Sequence, residues 1–263
     1  MGKLNRQAET DHVLTARTEY SMVLGLKWFP GMNNLHYKEV TFNGKDTKRG
    51  VLSDLAKVYD PLGFLLPLVV WGRLLLQNLW KGDVKWDVPL PAEHLMEWRQ
   101  LKGDLLNGLT LELPRTMTCE RSVNFHTFCD ASPRAYCAVC YITFLENKIK
   151  GISKFVIAKA KVAPIKMLKK IPYLELTSVV LGARLVRYVK ATYLEELNLE
   201  KVYVWSDSQI ALQWLRYDRS DNNYVKERVD NIRSIVKDAN FRFVPGQDNL
   251  ADLLTRRINF EVL

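Results

Sequence analysis

The first half of the chain begins with an alternating segment and continues with helical periodicity. Apolar and polar residues alternate over residues 21–44 around the turn sequence Pro30-Gly31-Met32-Asn33-Asn34, which predicts a β-hairpin. Apolar residues three and four apart predict three helices, over residues 47–58, 62–80 and 91–107. These helices are expected to pack on one another.

A turn-rich stretch over residues 113–121 separates this helical half from the rest of the chain. We therefore predict two domains, over residues 1–120 and 121–263.

The second half has a different pattern, with three strands followed by alternating helices and strands. The predicted strands cover residues 123–129, 135–144, 152–160, 202–205 and 241–244. The predicted helices cover residues 173–189, 208–215, 224–236 and a short final segment, 249–255. This order predicts an α/β fold in which a mixed sheet is flanked by helices.

Charge adds information once it is divided between the two halves. The net charge is +9, and residues 1–120 hold 15 Lys and Arg against 14 Asp and Glu, whereas residues 121–263 hold 23 against 15. A basic second half suits a polyanionic substrate, although a charge that serves only solubility is the better explanation when composition is taken alone.

Several other classes of protein fit the sequence poorly. The amino terminus lacks the apolar segment of a secretion signal, and the most apolar stretch, residues 61–71, is too short to cross a bilayer. The four cysteines form no disulfide framework in a chain of 263 residues, which favours a reducing compartment. Cys137 and Cys140 lie within one predicted strand without a second ligand pair, so packing is favoured over zinc binding.

Four acidic residues occupy different predicted elements of the second half. Asp130 ends a strand, Glu175 lies in the first turn of a long helix, Asp207 stands between a strand and a helix, and Asp252 begins the last helix. Paired divalent cations require several carboxylates from different elements, so this order predicts a two-metal nuclease of the ribonuclease H type. Taken singly, Glu175 and Asp252 could be charges that favour a helix start, and Asp207 could be an N-cap.

The sequence also resembles a known family over about residues 20–257. Residues 47–63, which include Asp60-Pro61-Leu62-Gly63, look like the segment after the reverse transcriptase in Pol polyproteins of BEL/Pao retrotransposons. Further matches occur in the same order: Leu79-Trp80 with Trp86-Asp87, Leu113-Pro114-Arg115, Phe128-Cys129-Asp130-Ala131-Ser132, residues 158–164, Ile171-Pro172-Tyr173-Leu174-Glu175-Leu176, Trp205-Ser206-Asp207-Ser208 and residues 244–252. The resemblance implies a reverse-transcriptase tail, a connection- or thumb-like helical segment with a hairpin, and an RNase H-like domain.

The chain departs from related sequences at several points. It lacks the Tyr/Phe-x-Asp-Asp motif of a polymerase, and it lacks the Asp-Thr/Ser-Gly loops of an aspartic protease, so we expect no proteolysis although the region is sometimes called a Pao peptidase. Leu250 replaces a proline, and Thr255-Arg256-Arg257 replaces Ser-Arg-Gly. No histidine lies near Asp252 in the sequence, so the mobile histidine that some RNases H use in product release is absent. This absence implies slower turnover without loss of activity.

The resemblance implies hydrolysis of the RNA strand of an RNA–DNA hybrid. Two Mg²⁺ ions, or Mn²⁺ ions, about 3.5–4 Å apart would share Asp130, with Glu175 and Asp207 completing one site and Asp252 the other. Selection of RNA would use its 2′-hydroxyl, near Glu175 and the backbone around Ala131 and Ser132.

Basic residues around the Glu175 helix, together with Ser132 next to Asp130, are the candidates for holding the hybrid. The predicted nucleic-acid-binding residues are Ser132, Lys159, Lys161, Lys166, Lys169, Lys170, Arg184 and Arg187. A run of charge is more often only a solvated surface. Trp205 and Trp214 are assigned to core packing in preference to base stacking.

The expected partners are the hybrid and the missing polymerase part of the same polyprotein, without a membrane. The expected location is a cytoplasmic retroelement particle. The alternative function is an inactive or repurposed copy that binds nucleic acid without cutting it.

Overall fold

The computed structural model describes residues 19–115, 122–145, 151–167, 170–193, 198–217 and 222–256. The predicted α/β fold is confirmed: a five-stranded mixed sheet carries flanking helices, and a separate antiparallel sheet lies near the start of the described chain. No helix within these ranges has the length and hydropathy needed to cross a bilayer.

The first sheet has four strands, two more than the predicted hairpin. Strands β1 (Ser21–Val23), β2 (Leu26–Phe29) and β3 (Asn34–His36) pair antiparallel in sequence order, so the predicted turn at residues 30–34 joins β2 to β3. Strand β4 (Glu112–Pro114) then pairs with β3. The predicted turn-rich stretch over residues 113–121 therefore begins within a strand, since Leu113 and Pro114 belong to β4. The sequence did not reveal this strand because three residues that pair with residues almost 80 positions away leave no periodicity.

The three predicted helices of this half are present. They are α1 (Lys48–Lys57), α2 (Leu66–Lys81) and α3 (Ala92–Gly108). Helix α2 begins four residues later than predicted because the Asp60 carboxylate accepts hydrogen bonds from the backbone N–H groups of residues 63–65 and holds that segment in a turn.

The second sheet is built from β5 (Ser122–Ala131), β6 (Ala135–Phe144), β7 (Ser153–Val162), β8 (Asn198–Ser206) and β9 (Ala239–Phe243), in the spatial order β7-β6-β5-β8-β9. Strands β5, β6 and β7 are antiparallel neighbours, and β8 and β9 run parallel to β5. Helix α4 (Ile171–Tyr193) packs on β5 and β6, and α5 (Gln209–Tyr217) and α6 (Asn223–Ile235) complete that layer. The α-helix predicted over residues 249–255 is wrong: the 3₁₀ turn Asp252–Leu254 occupies part of that range, and a second 3₁₀ turn, Gly246–Asp248, precedes it.

The two faces of this sheet belong to two hydrophobic cores. One face packs under α4, and the other packs against α2 and the last 3₁₀ turn. Cys137 and Cys140 are both buried but lie in opposite cores, so they could not bind one zinc ion together. The helical half is thus continuous with the sheet through a shared core that includes residues of β6 and β7.

Candidate active site

Asp130 is the next-to-last residue of β5 and only 6% exposed. Strand β5 alternates between residues buried under α4 and half-buried residues on its other face until its end, where Asp130 is paired with Cys137 of β6. Its Oδ2 atom accepts a hydrogen bond from the hydroxyl of Thr255. The sequence therefore folds a carboxyl group into an almost dry position at the end of the central strand.

Asp207 directly follows β8, the parallel neighbour of β5, so it lies beside the end of β5 where Asp130 is located. Ser208 caps α5, because its hydroxyl accepts the N–H of Ala211 at 3.1 Å. The alternative interpretation of Asp207 as an N-cap is therefore wrong. This leaves the Asp207 carboxylate available for another role.

Glu175 lies in the second turn of α4, one turn later than predicted, because the helix begins at Ile171. Its Oε2 atom accepts a hydrogen bond from the hydroxyl of Ser208, which links α4 to the start of α5. This bond directs the Glu175 carboxylate toward the residue that follows Asp207.

Asp252 lies in the first turn of the short 3₁₀ helix Asp252–Leu254, and its Oδ1 atom accepts the Nε–H of Arg256 at 2.7 Å. Asn249 holds this segment against the sheet: its amide donates to the carbonyl oxygen of Cys129 at 3.1 Å, and its Oδ1 accepts the N–H of Ala251 at 3.2 Å. The segment that carries Asp252 is thus fixed next to the end of β5.

The four carboxyl groups interact electrostatically. Burial raises the pKa of Asp130 to about 6, and the charges of Asp207 and Asp252 add to the rise against the hydrogen bond from Thr255. Burial also raises the pKa of Asp207. The charge of Asp252 raises this pKa further, whereas Asn249 and Arg256 lower it. The pKa of Glu175 is raised by burial and by the charge of Asp207, against the hydrogen bond from Ser208. Burial and neighbouring acids therefore both oppose the ionisation of Asp130, Glu175 and Asp207.

The chemistry of these donors suits a hard divalent cation, since all four are carboxylates and their mutual repulsion is what such an ion would relieve. As placed, however, no three His, Cys, Asp or Glu side chains in the described ranges converge closely enough to hold a metal. Protein groups donate hydrogen bonds to three of the carboxylates instead, Thr255 to Asp130, Ser208 to Glu175 and Arg256 to Asp252, and Asn249 lowers the pKa of Asp207.

Sequence reasoning did not identify these four partners. Each lies inside or next to a motif that contains one of the acids, so nearness to an acid was the available signal. Nearness does not show which side chain points at which carboxylate.

The predicted basic residues surround α4. Lys159 and Lys161 are exposed on β7, Lys166 and Lys170 are exposed before α4, and Arg184 and Arg187 are exposed along it. None of these six forms a salt bridge with another described residue. Lys169 lies outside the described residues.

Ser132 has a structural role in the turn between β5 and β6. Its hydroxyl accepts the N–H groups of Arg134 and Ala135, both at 3.2 Å. Trp205 and Trp214 are both half-buried: Trp205 stacks with Phe128 and His126, and Trp214 packs beside Tyr173.

Comparison with known proteins gives one family match. The model of the Pao retrotransposon-like RNaseH-like domain matches residues 47–208, and no curated protein sequence matches the chain. Among solved structures, the foamy viral protease-reverse transcriptase dRH in complex with double-stranded DNA is 14% identical with a TM-score of 0.47, and the match covers 86% of this chain and 38% of the viral chain. RNase H1 from the halophilic archaeon Halobacterium salinarum NRC-1 is 13% identical with a TM-score of 0.34, covering 51% of this chain and 93% of the archaeal chain.

Proposed function

Because the chain belongs to the Pao retrotransposon-like RNaseH-like domain family, we propose that it is an RNase H-type nuclease of a retroelement Pol protein that hydrolyses the RNA strand of RNA–DNA hybrids. The observation that carries the proposal is that four acids from different elements influence one another: Asp130 near the end of β5, Glu175 in α4, Asp207 directly after β8 and Asp252 in a 3₁₀ turn. Asp130 is buried and the other three are half-buried, and grouped like charges out of water lower stability, so a purely structural role does not account for them.

Asp130, Glu175, Asp207 and Asp252 would hold two divalent cations, Mg²⁺ or Mn²⁺. Bound cations of this kind supply activation of the attacking water and neutralise charge on the leaving 3′ oxygen. Ser208 orients Glu175 through a hydrogen bond to its carboxylate. Thr255 and Arg256 hold Asp130 and Asp252 in the same way, so polar side chains fix three of the four proposed ligands.

The exposed cations Lys159, Lys161, Lys166, Lys170, Arg184 and Arg187 would contact the phosphates of the hybrid, together with Lys169 and the turn at Ser132. These cations lack acidic partners among the described residues, which leaves their charge available to a polyanion. The polymerase part of the same polyprotein is the second proposed partner.

Cleavage of an end-labelled hybrid tests the nuclease function. The protein is incubated with the hybrid with and without Mg²⁺, beside Asp207→Asn and the matched control Asp238→Asn, an exposed aspartate in the turn before β9. We expect Mg²⁺-dependent cutting of the RNA strand alone, lost by at least about 100-fold in Asp207→Asn and kept in the control. Equal cutting by both variants, or cutting without a divalent ion, would contradict the proposal.

A copy that binds the hybrid without cutting it is the second candidate. The observation that favours it is that three of the four carboxylates accept a hydrogen bond from a protein group in the described structure. Calorimetric titration of the hybrid-free protein with Mg²⁺ and Mn²⁺ separates the two candidates. Binding of cations that is lost in Asp207→Asn favours the nuclease, whereas hybrid binding without any cation binding favours the second candidate.

A further inference from the structure

A groove lies where helix α2 meets the turn between β5 and β6. It has a volume of about 400 Å³, and its walls include Trp71, Asn78 and Lys81 of α2, Glu97 of α3 and Arg134 of the turn. The α2 residues lie on one stripe of the helix, which spans about 15 Å between Trp71 and Lys81 at 1.5 Å per residue. Both halves of the chain therefore contribute to this groove.

The groove begins beside the candidate active site. Arg134 lies in the turn that follows Asp130, where the N–H of Arg134 is bonded to the hydroxyl of Ser132. On the opposite wall, Trp71 donates its indole N–H to the carbonyl oxygen of Arg256 at 2.9 Å, and Arg256 is the partner of Asp252. Each wall is thus joined to a segment that carries one of the four acids.

The walls are fixed to each other. Gln77 of α2 donates to the carbonyl oxygen of Ala163 at 2.9 Å, and the N–H of Ala163 donates to the carbonyl oxygen of Arg134 at 2.7 Å. The Arg134 guanidinium lies over the Trp71 ring at 4.6 Å from its centre. This contact holds an exposed cation in place across the groove, so little conformational entropy remains to be lost when an anion binds.

The chemistry of the groove matches a sugar–phosphate strand. Arg134 and Lys81 are exposed cations without a salt bridge to another described residue, Asn78 adds an exposed amide, and Trp71 contributes an indole ring to the wall. The acid on the groove wall, Glu97, lies 3.9 Å from His94 Nδ1. A length of about 15 Å accommodates roughly four nucleotides of one strand at 3.4 Å per step.

We propose that this groove holds the nucleic acid backbone next to the candidate active site, so that the helical half of the chain takes part in substrate binding. The inference rests on the proposed function for the identity of the ligand. It adds Arg134, Lys81 and Asn78 to the contact residues, none of which lies on the α4 surface.

Binding of a fluorescent RNA–DNA hybrid in EDTA, measured by anisotropy over a range of salt concentrations, tests the groove without cleavage. The double variant Arg134→Gln/Lys81→Ala is compared with Arg99→Gln/Lys237→Ala, which removes the same charge at exposed positions outside the groove. Affinity falls as salt rises, and each lost phosphate contact reduces the steepness of log affinity against log salt by about 0.9. We expect the magnitude of this slope to be smaller by about 2 in the groove variant and unchanged in the control.

The variant Asn78→Lys tests the same groove by adding a charge. We expect the magnitude of its salt slope to be larger by about 1. Equal slopes for the groove variant, Asn78→Lys and the unmodified protein would overturn the proposal, as would failure of the unmodified protein to bind the hybrid at all. Loss of cleavage has no bearing on this metal-free measurement. Failure of the nuclease function and failure of the groove are therefore separate results.

Discussion

Asp130 is a buried acid whose surroundings oppose its ionisation. Burial and the charges of Asp207 and Asp252 raise its pKa from 3.8 to about 6. The native state therefore binds the proton more tightly than the unfolded chain does, and stability falls as the pH rises from about 4 to about 6. The corresponding cost at neutral pH is roughly 2–3 kcal/mol.

We expect Asp130→Asn to stabilise the metal-free protein at pH 7.5 by about 2 kcal/mol, because the amide keeps an acceptor for Thr255 and carries no charge. The gain should disappear at pH 4, where the wild-type carboxyl group is already protonated. Urea unfolding in EDTA at the two pH values measures both effects, with Asp238→Asn as the exposed control. An equal gain at both pH values would show that charge is not its cause.

At the residue scale, the sequence was sufficient to single out the acids but not their surroundings. Asp130 and Asp207 could be located because each follows an apolar strand and sits in a recognisable motif. The bonds from Thr255 to Asp130 and from Ser208 to Glu175 join residues 125 and 33 positions apart, and such contacts leave no periodic trace. The pKa of Asp130 follows from those contacts and could not be predicted without them.

At the element scale, the packing of α4 on β5 depends on one close approach. A Cβ atom at Gly182 would lie 2.4 Å from Cys129 Sγ and 3.2 Å from Thr127 Cγ2. Glycine at this position lets the helix that carries Glu175 lie directly on the strand that carries Asp130. The distance between the two acids is therefore linked to this contact.

Gly182→Ala is expected to destabilise the protein by about 1–2 kcal/mol, since the cost of overpacking exceeds the gain in helix propensity of up to about 1 kcal/mol. Removing the opposing sulfur should relieve the clash, so the same substitution in a Cys129→Ala background should cost nothing or stabilise. Urea unfolding of the four proteins gives the coupling energy. A coupling near zero would mean that the backbone accommodates the methyl group by moving.

The turn before α2 connects the helical half to the edge of the large sheet. Gly63 has a φ of +80°. A Cβ atom there would lie 2.3 Å from the carbonyl oxygen of Ala158 in β7. The N–H of Ala158 in turn donates to the carbonyl oxygen of Leu62 at 2.8 Å. The Asp60-Pro61-Leu62-Gly63 motif is therefore a docking turn, a role that its resemblance to other sequences could not reveal.

We expect Gly63→Ala to destabilise the protein by about 2–4 kcal/mol, from left-handed backbone strain and from the clash with β7. Gly103→Ala is the matched control, because nothing lies within 4 Å of a Cβ atom at that helical position. This control should be neutral or stabilise by up to about 1 kcal/mol. Thermal unfolding of both variants checks the prediction, and equal effects would contradict the docking role.

At the scale of the whole molecule, the proposed domain boundary near residue 120 does not coincide with a gap in the core. Leu68 and Leu75 of α2 belong to the same buried group as Cys137 and Val139 of β6. The sequence indicated two halves because its periodicity changes between them. It could not show that α2 covers one face of the sheet, since an apolar helix packs equally well on other helices.

A shared core predicts that the two halves lose their structure together. Leu68 is fully buried in α2, and Leu68→Ala should cost about 2–5 kcal/mol. If the halves form one cooperative unit, protection of amides in α2 and in β6 against hydrogen exchange should fall by the same free energy. Native-state exchange with residue-level detection measures both elements in one sample. If protection falls only in α2, the helical half opens alone. In that case the groove between Trp71 and Arg134 would form only while the two halves are in contact.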